Sequence, residues 1–453
     1  MKKKTKTLII IAVAAVIIVV GIIVVLSLRK GSQTSPGISY PKGIKTVTAT
    51  YPEAFSQTMD AQEFLEGTSY MEWMDSYREK LSKSISIQQE LNHYYTSIIP
   101  CLLIAEDENT VCSPLNTYIA FSLLAEVSGG DTRRQILDML GASDIETLRE
   151  NVSALWESNY IDTPVLKSVL ANSLWLNNEI NYKEDVLNRL AEQYYASSFS
   201  GTPGSQEMNE ALQKWTDDNT GGLLSEYTKE MSIDPRTVLE ILSPIYVKAM
   251  WVEDFQENRN TREVFLGTTG DTMVDMMHQD DMLNVYHSDQ FTAVGISLMN
   301  SGSMYFLLPD EDVDVDQLAS DPNIIKVVQY DLEDENWTYP IVHLSLPKFK
   351  VSGKIDLIDA VRSLGVTDAL DHTIADFTPL TTDRDDIYLS KAEHAAMIEI
   401  DEHGVTGAAY TELALAGAGM PEDEIDFVVD RPFMFIVTGR DNSILFSGIV
   451  RNP

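Results

Sequence analysis

Cysteine is nearly absent: 453 residues hold only Cys101 and Cys112. That excludes a disulfide scaffold and a four-thiolate metal site. The two could pair in an oxidising compartment or stand as separate small thiols. Positive charge is also scarce, with 33 Lys and Arg against 69 Asp and Glu and a net charge of −36. A protein that holds nucleic acid by neutralising phosphates needs the opposite balance, so no nucleic-acid partner is expected. Reaction machinery is missing too: no GxSxG, HExxH, CxxC or GxxxxGK occurs, and the seven histidines are scattered with no pair at metal-ligand spacing. Asp310, Asp312, Asp314 and Asp316 alternate like the start of a calcium loop but lack its turn glycine, which reads as a solvated acidic loop. Neither an enzyme nor a cofactor is indicated. Disorder is excluded, because 44% of residues are hydrophobic and 9% aromatic.

What is present begins with the N-terminus. Lys2, Lys3, Lys4 and Lys6 precede an almost unbroken apolar run from Leu8 to Leu28, closed by Arg29 and Lys30. Such a run is long enough to span a bilayer as a helix, and longer than the apolar region of a cleaved signal peptide. Residues 1–30 therefore read as a cytoplasmic basic end and an uncleaved membrane anchor, with the remainder outside the cell; secretion is the alternative localisation. Residues 31–52, rich in Gly, Pro, Ser and Thr, read as a tether, and 53–84 as an N-terminal extension. Every cation of the first thirty residues lies on the anchor, so residues 31–453 carry 27 − 69 = −42.

Helical periodicity starts near Ser84, with Ile87, Leu91, Tyr94, Tyr95, Ile98 and Ile99 on one face. Further helices are expected at Leu115–Glu126 and through Ile136, Leu137 and Leu140 to Gly141. Strand-like runs follow at Leu166–Trp175, Val238–Ala249, Ala293–Leu308, Ile341–Lys350, Ile387–Ile400 and Phe433–Gly439. Helices first and strands later argue an α+β fold. Between the last two runs lies a connection of about thirty residues, longer than most loops in compact domains. Its first half alternates: Val405, Gly407, Ala409, Thr411, Leu413 and Leu415 are small or apolar, which is the period-two signature of a strand with one buried face. A short helix or an ordinary edge strand would explain the pattern as well.

These residues resemble a known family. Glu402-His403-Gly404 followed by Val405, Thr406, Gly407, Ala408 and Ala409 looks like the hinge of a serpin reactive loop. Other segments agree in order: ENTVCSPLN (108–116), SGGDTRRQIL (128–137), ANSLW (171–175), IYVKAMW (245–251), LPKFKVSGKIDL (346–357), HAAMIEIDEHG (394–404) and DRPFMFIV. The resemblance covers residues 85–453 and is to a bacterial, membrane-anchored kind of serpin. It implies three sheets, eight or nine helices and a reactive loop over about 402–430. It also implies a monomer that traps a serine protease: the protease cleaves the loop, whose N-terminal part then inserts as a new strand in the central sheet. Serpin loop insertion is itself a standard example of strand addition coupled to the release of stored strain.

Residue by residue, the resemblance assigns a hinge to Glu402, Gly404, Val405, Thr406, Gly407, Ala408, Ala409 and Thr411. It assigns a buried polar cluster beneath the sheet opening to Ser113, Asn116, Ser243 and His394, and the point of strand entry to Trp251. Val405 stands where Thr or Ser is usual, Asn116 where Ser is usual and Ser243 where Asn is usual, an apparent exchange of amide and hydroxyl. Gly407 and Tyr410 interrupt a stretch that is more often Ala-rich. Counting from Glu402 puts the scissile bond at Ala418-Gly419, whereas counting back from Arg431-Pro432-Phe433 puts it up to three residues later, near Met420-Pro421. The small and apolar residues from Leu415 to Met420 suit proteases with shallow apolar pockets, of the elastase or subtilisin kind. The alternative function is a serpin fold that binds without inhibiting.

Overall fold

The computed structural model describes residues 40–52, 61–105, 107–222, 228–330, 334–405 and 423–453. The expected anchor at 1–30 lies outside them. Among the described residues no helix is long and apolar enough to cross a membrane. Pro41–Pro453 form one compact unit.

That unit is α+β, as expected, with a helical first half and three sheets. Eleven α-helices occur among the described residues rather than eight or nine. Two of them, Ala61–Glu66 and α1 (Thr68–Ile85), lie ahead of the region of resemblance. Next come α2 (Gln88–Leu103) and α3 (Pro114–Val127). The α3 helix starts on a Ser113 cap with Pro114 in its first turn, and it is buried on every face, so it runs through the core rather than over it. Farther on, α4 (Ile145–Asn159) packs on α1.

The largest sheet has nine strands. Those that matter here are β1 (Lys45–Val47), β2 (Leu166–Leu170), β3 (Asn172–Asn177), β4 (Ala196–Gly201), β5 (Leu239–Met250), β6 (Phe349–Asp356), β7 (Leu389–Asp401) and β8 (Gly404–Val405). Their spatial order is β1-β4-β3-β5-β8-β7-β6, with β2 beside the far end of β5. A seven-stranded sheet carries the C-terminal strands Phe433–Thr438 and Ile444–Val450. A four-stranded sheet has β9 (Glu424–Val428) on its edge, parallel to Ile341–Pro347.

Several sequence expectations need correction. Leu166–Trp175 is two strands that break at Ala171, and Ala293–Leu308 is a hairpin, Phe291–Ser297 and Ser303–Pro309, turned at Asn300 with φ of 58°. Ile341–Lys350 is likewise divided, with its second part passing into β6 of the large sheet. Apolar residues flank the breaks at Ala171 and Lys348 closely, which is why those runs read as continuous in sequence, whereas Asn300-Ser301-Gly302 is a turn signal that the third run passed over. The thiols of Cys101 and Cys112 are both free, the first exposed and the second buried. Asp314 caps the short helix Val315–Leu318 and Asp316 pairs with Arg451, so these two members of the acidic stretch serve the fold.

The stretch expected to be a tether is partly ordered into the body. Lys45–Val47 pair antiparallel with Ser198–Ser200 of β4, and Tyr51 stacks on Trp156, 5.5 Å between ring centres, and lies 5.2 Å from Tyr160. Trp156 in turn stacks on Tyr195 at 3.6 Å. Aromatic pairs of this kind add about 0.5–1.5 kcal/mol each beyond their burial. Tyr51→Ala is therefore expected to lower folding stability by about 1–2 kcal/mol, read as a reduced urea midpoint; an unchanged midpoint would show that this segment contributes nothing to the body.

Candidate functional site

The large sheet is only half closed along one seam. β5 and β7 run parallel and pair over Leu239–Pro244 and Leu389–Ala395. Beyond that point they separate, and the two residues of β8 lie between their far ends. Gly404 pairs with Met250 and Asp401, and Val405 with Ala249 and Ile400, antiparallel on both sides. Val405 is fully buried. Gly404 has φ of +140°, and a Cβ there would stand 2.2 Å from the Ala249 carbonyl oxygen, so neither the backbone conformation nor the space admits a side chain.

The turn before β8 is held from several directions. The Trp251 ring nitrogen donates to the Asp401 carbonyl at 3.0 Å, and the Trp251 amide donates to the His403 carbonyl at 3.1 Å. The Phe255 amide donates to the Glu402 carbonyl at 2.9 Å. Glu402 is buried and accepts from Lys348 and from the Asn260 amide. Burial works against its charge, yet the Lys348 ammonium and these hydrogen bonds outweigh it and hold its carboxyl below the usual range. His403 faces Asp254 at 2.9 Å, and that hydrogen bond raises its basicity. Glu402, Gly404, Val405 and Trp251 are thus brought together at the open end of the seam. Thr406, Gly407, Ala408, Ala409, Thr411, Ala418 and Gly419 lie outside the described residues.

Ser113, Asn116, Ser243 and His394 meet at the closed end, all fully buried. His394 sits directly opposite Ser243 across the seam. Its Nε2 accepts from the Ser113 amide at 2.8 Å, so the ring proton is on Nδ1, which donates to the Ser243 carbonyl at 2.7 Å. The Asn116 amide donates to the Pro244 carbonyl at 2.8 Å and to the Ala171 carbonyl at 3.4 Å. The Ser243 hydroxyl donates to the Asn116 backbone carbonyl at 3.2 Å. The apparent exchange of amide and hydroxyl therefore brings both residues to one cluster, but their side chains do not bond one another.

Two further members escape sequence reasoning. Asn172 donates to the Asn116 side-chain oxygen at 2.9 Å; an amide opening an apolar strand is the signal that could have found it. Pro244 sits mid-strand, where its missing N–H would ordinarily cost a ladder bond. It is tolerated because β2 and β3 break opposite it and its pairing with β7 ends there.

Burial depresses the His394 pKa to about 4, despite its bond to the Ser243 carbonyl. The imidazole is neutral when folded and titrates near 6.5 when unfolded, so the unfolded chain binds the extra proton between those values. Its contribution, about 3 kcal/mol, is present above pH 6.5 and is lost as pH falls toward 4. Glu240, whose pKa burial raises to about 7, acts in the opposite direction. The difference in stability between wild type and His394→Gln should therefore shrink as pH falls from 6.5 to 4. A difference that does not change with pH would refute the buried neutral histidine.

Comparison with known proteins agrees with this geometry. The profile of the family described as Serpin (serine protease inhibitor) matches residues 98–453. Serpin-ZX of Arabidopsis thaliana is 27% identical over 392 residues, covering 82% of this chain and 98% of that protein. Human Serpin B9 is 27% identical over 359 residues, covering 76% and 93%. Among solved structures, Arabidopsis AtSerpin1 in its native stressed conformation superposes with a TM-score of 0.69 at 26% identity, over 82% of this chain and 98% of that one. The thermophilic serpin tengpin in its native state gives 0.72 at 24% identity, over 81% and 94%. The chain belongs to the serpin family of serine protease inhibitors.

Proposed function

We propose that this protein is a suicide inhibitor of serine proteases that acts outside the cell, tethered to the membrane by residues 8–28. The observation that carries the reading is β8, two loop residues already paired on both sides inside a half-closed seam. Continuing that register along β5, Thr411 falls opposite both Ser243 and His394, and Leu415 falls opposite Leu239, where β5 begins. The inserted strand would then match β5 in length and end where the alternating small and apolar residues end. Val405, Gly407, Ala409, Thr411, Leu413 and Leu415 would share the buried face, and Glu412 and Tyr410 the other. A protease acylated near Ala418 would be carried along the sheet, and insertion would have to outrun deacylation.

The bond at Ala418-Gly419 suits elastase- or subtilisin-like enzymes. Such pockets accept a methyl group but leave a cation without a partner. The described chain takes up again at Asp423 and leads into β9 and then the strands Phe433–Thr438 and Ile444–Val450, so cleavage at this bond would leave a C-terminal piece held by both the four-stranded and the seven-stranded sheet.

Incubation of residues 31–453 with an elastase-like protease is expected to give a covalent complex stable on a denaturing gel. Mass spectrometry should find the C-terminal fragment starting at Gly419; a start at Pro421 or later would move the bond. Val405→Arg should be cleaved without forming the complex. Val405 is already buried between β5 and β7 in the uncleaved chain, so an unpaired charge there costs several kcal/mol unless β8 withdraws from the seam, and the loop then has no paired start from which to insert. Complex formation by this variant at the wild-type yield would contradict insertion through β8, and cleavage without any complex in the wild type would indicate a serpin fold that does not inhibit.

A further inference from the structure

Opposite His394, on the other face of the large sheet, lies a group of charges that neither the hinge nor the polar cluster uses. Lys391 pairs in register with Glu240 across the seam, immediately after a β-bulge between Leu389 and Lys391. Its ammonium lies 3.0 Å from one Glu240 oxygen and 2.9 Å from a Glu393 oxygen. Lys354 of β6 donates to the other Glu393 oxygen at 2.7 Å. Four charges thus run across three adjacent strands. Glu240 is fully buried, and its second carboxylate oxygen accepts no hydrogen bond among the described residues.

We propose that Glu240, Lys391, Glu393 and Lys354 form an ionic latch that holds the β5–β7 seam closed and sets the barrier to strand insertion. The latch rests on the insertion reading above. A strand placed between β5 and β7 would double their separation from about 4.8 Å to about 10 Å and part Glu240 from Lys391. Removing one partner from a buried pair is far more costly than never having had the pair. The latch therefore resists opening without making the folded chain more stable than neutral residues would. Burial raises the Glu240 pKa to about 7; Lys391 and Lys354 oppose that shift, and the Glu393 carboxylate assists it. Asp234, on the segment leading into β5, is within electrostatic reach of Lys391 and completes the charged surroundings.

The test is hydrogen exchange on the intact, uncleaved protein at about pH 8, where Glu240 is ionised. Glu240→Gln is expected to speed exchange of the amides in 239–246 and 389–398 about tenfold, the equivalent of ~1.4 kcal/mol. Exchange of Phe433–Thr438 should be unchanged and the urea midpoint should not fall. Lys391→Met should act similarly, and the double variant should exceed neither single variant, because the two residues act through one contact. Unchanged seam exchange in both single variants, or equal acceleration across the whole molecule, would overturn the proposal. A chain that traps no protease would refute the inhibitory reading, whereas the latch stands or falls on seam exchange alone.

Discussion

The pairing of β5 with β7 is the contact on which the rest of the structure depends. It is parallel, it is made over only the lower part of two long strands, and it ends at Pro244, a residue that cannot donate to a ladder. Above that point, among the described residues, only the two of β8 lie between the strands. On the insertion reading, one more antiparallel strand here would gain ladder bonds on both sides, and the seam would then store free energy as well as make a contact.

Different chemistry secures its two ends. At the closed end, neutral polar groups buried against α3 are satisfied mostly by backbone: Asn116 on the carbonyls of Pro244 and Ala171, and His394 between the Ser113 amide and the Ser243 carbonyl. Each of these bonds is worth about 1 kcal/mol net, but each would cost more if left unmade in the core. At the open end, the turn that launches the loop is fixed by Trp251, Phe255 and the Glu402–Lys348 pair, while Gly404 allows backbones to approach where no side chain fits. The start of the loop is thus anchored at its root, so that on the insertion reading a new strand would enter from the hinge downward.

The family motifs make much of this legible in the sequence. Glu402, Gly404, Val405 and Trp251 are where the order of motifs puts them, as are Ser113, Asn116, Ser243 and His394. Other features are not legible. The breaks at Ala171 and Lys348 fall within apolar runs whose periodicity does not change. The contribution of Asn172 depends on a contact with Asn116, 56 positions away in sequence. The charge group around Lys391 arises from a bulge, which changes the side-chain alternation at one position without changing composition. Tyr51 reads as part of a tether because its neighbours are turn formers; its partners, Trp156 and Tyr160, belong to a helix end far along the chain.

If the N-terminal part of the loop is the missing strand of the large sheet, cutting the loop must stabilise the molecule. A strand of about twelve residues would add ladder bonds worth about 1 kcal/mol each and bury a row of small and apolar side chains. The most direct measurement is the melting temperature of the protein before and after cleavage within 416–421, with both fragments retained. A rise of about 20 °C or more is expected on insertion. An unchanged melting temperature after complete cleavage would contradict it.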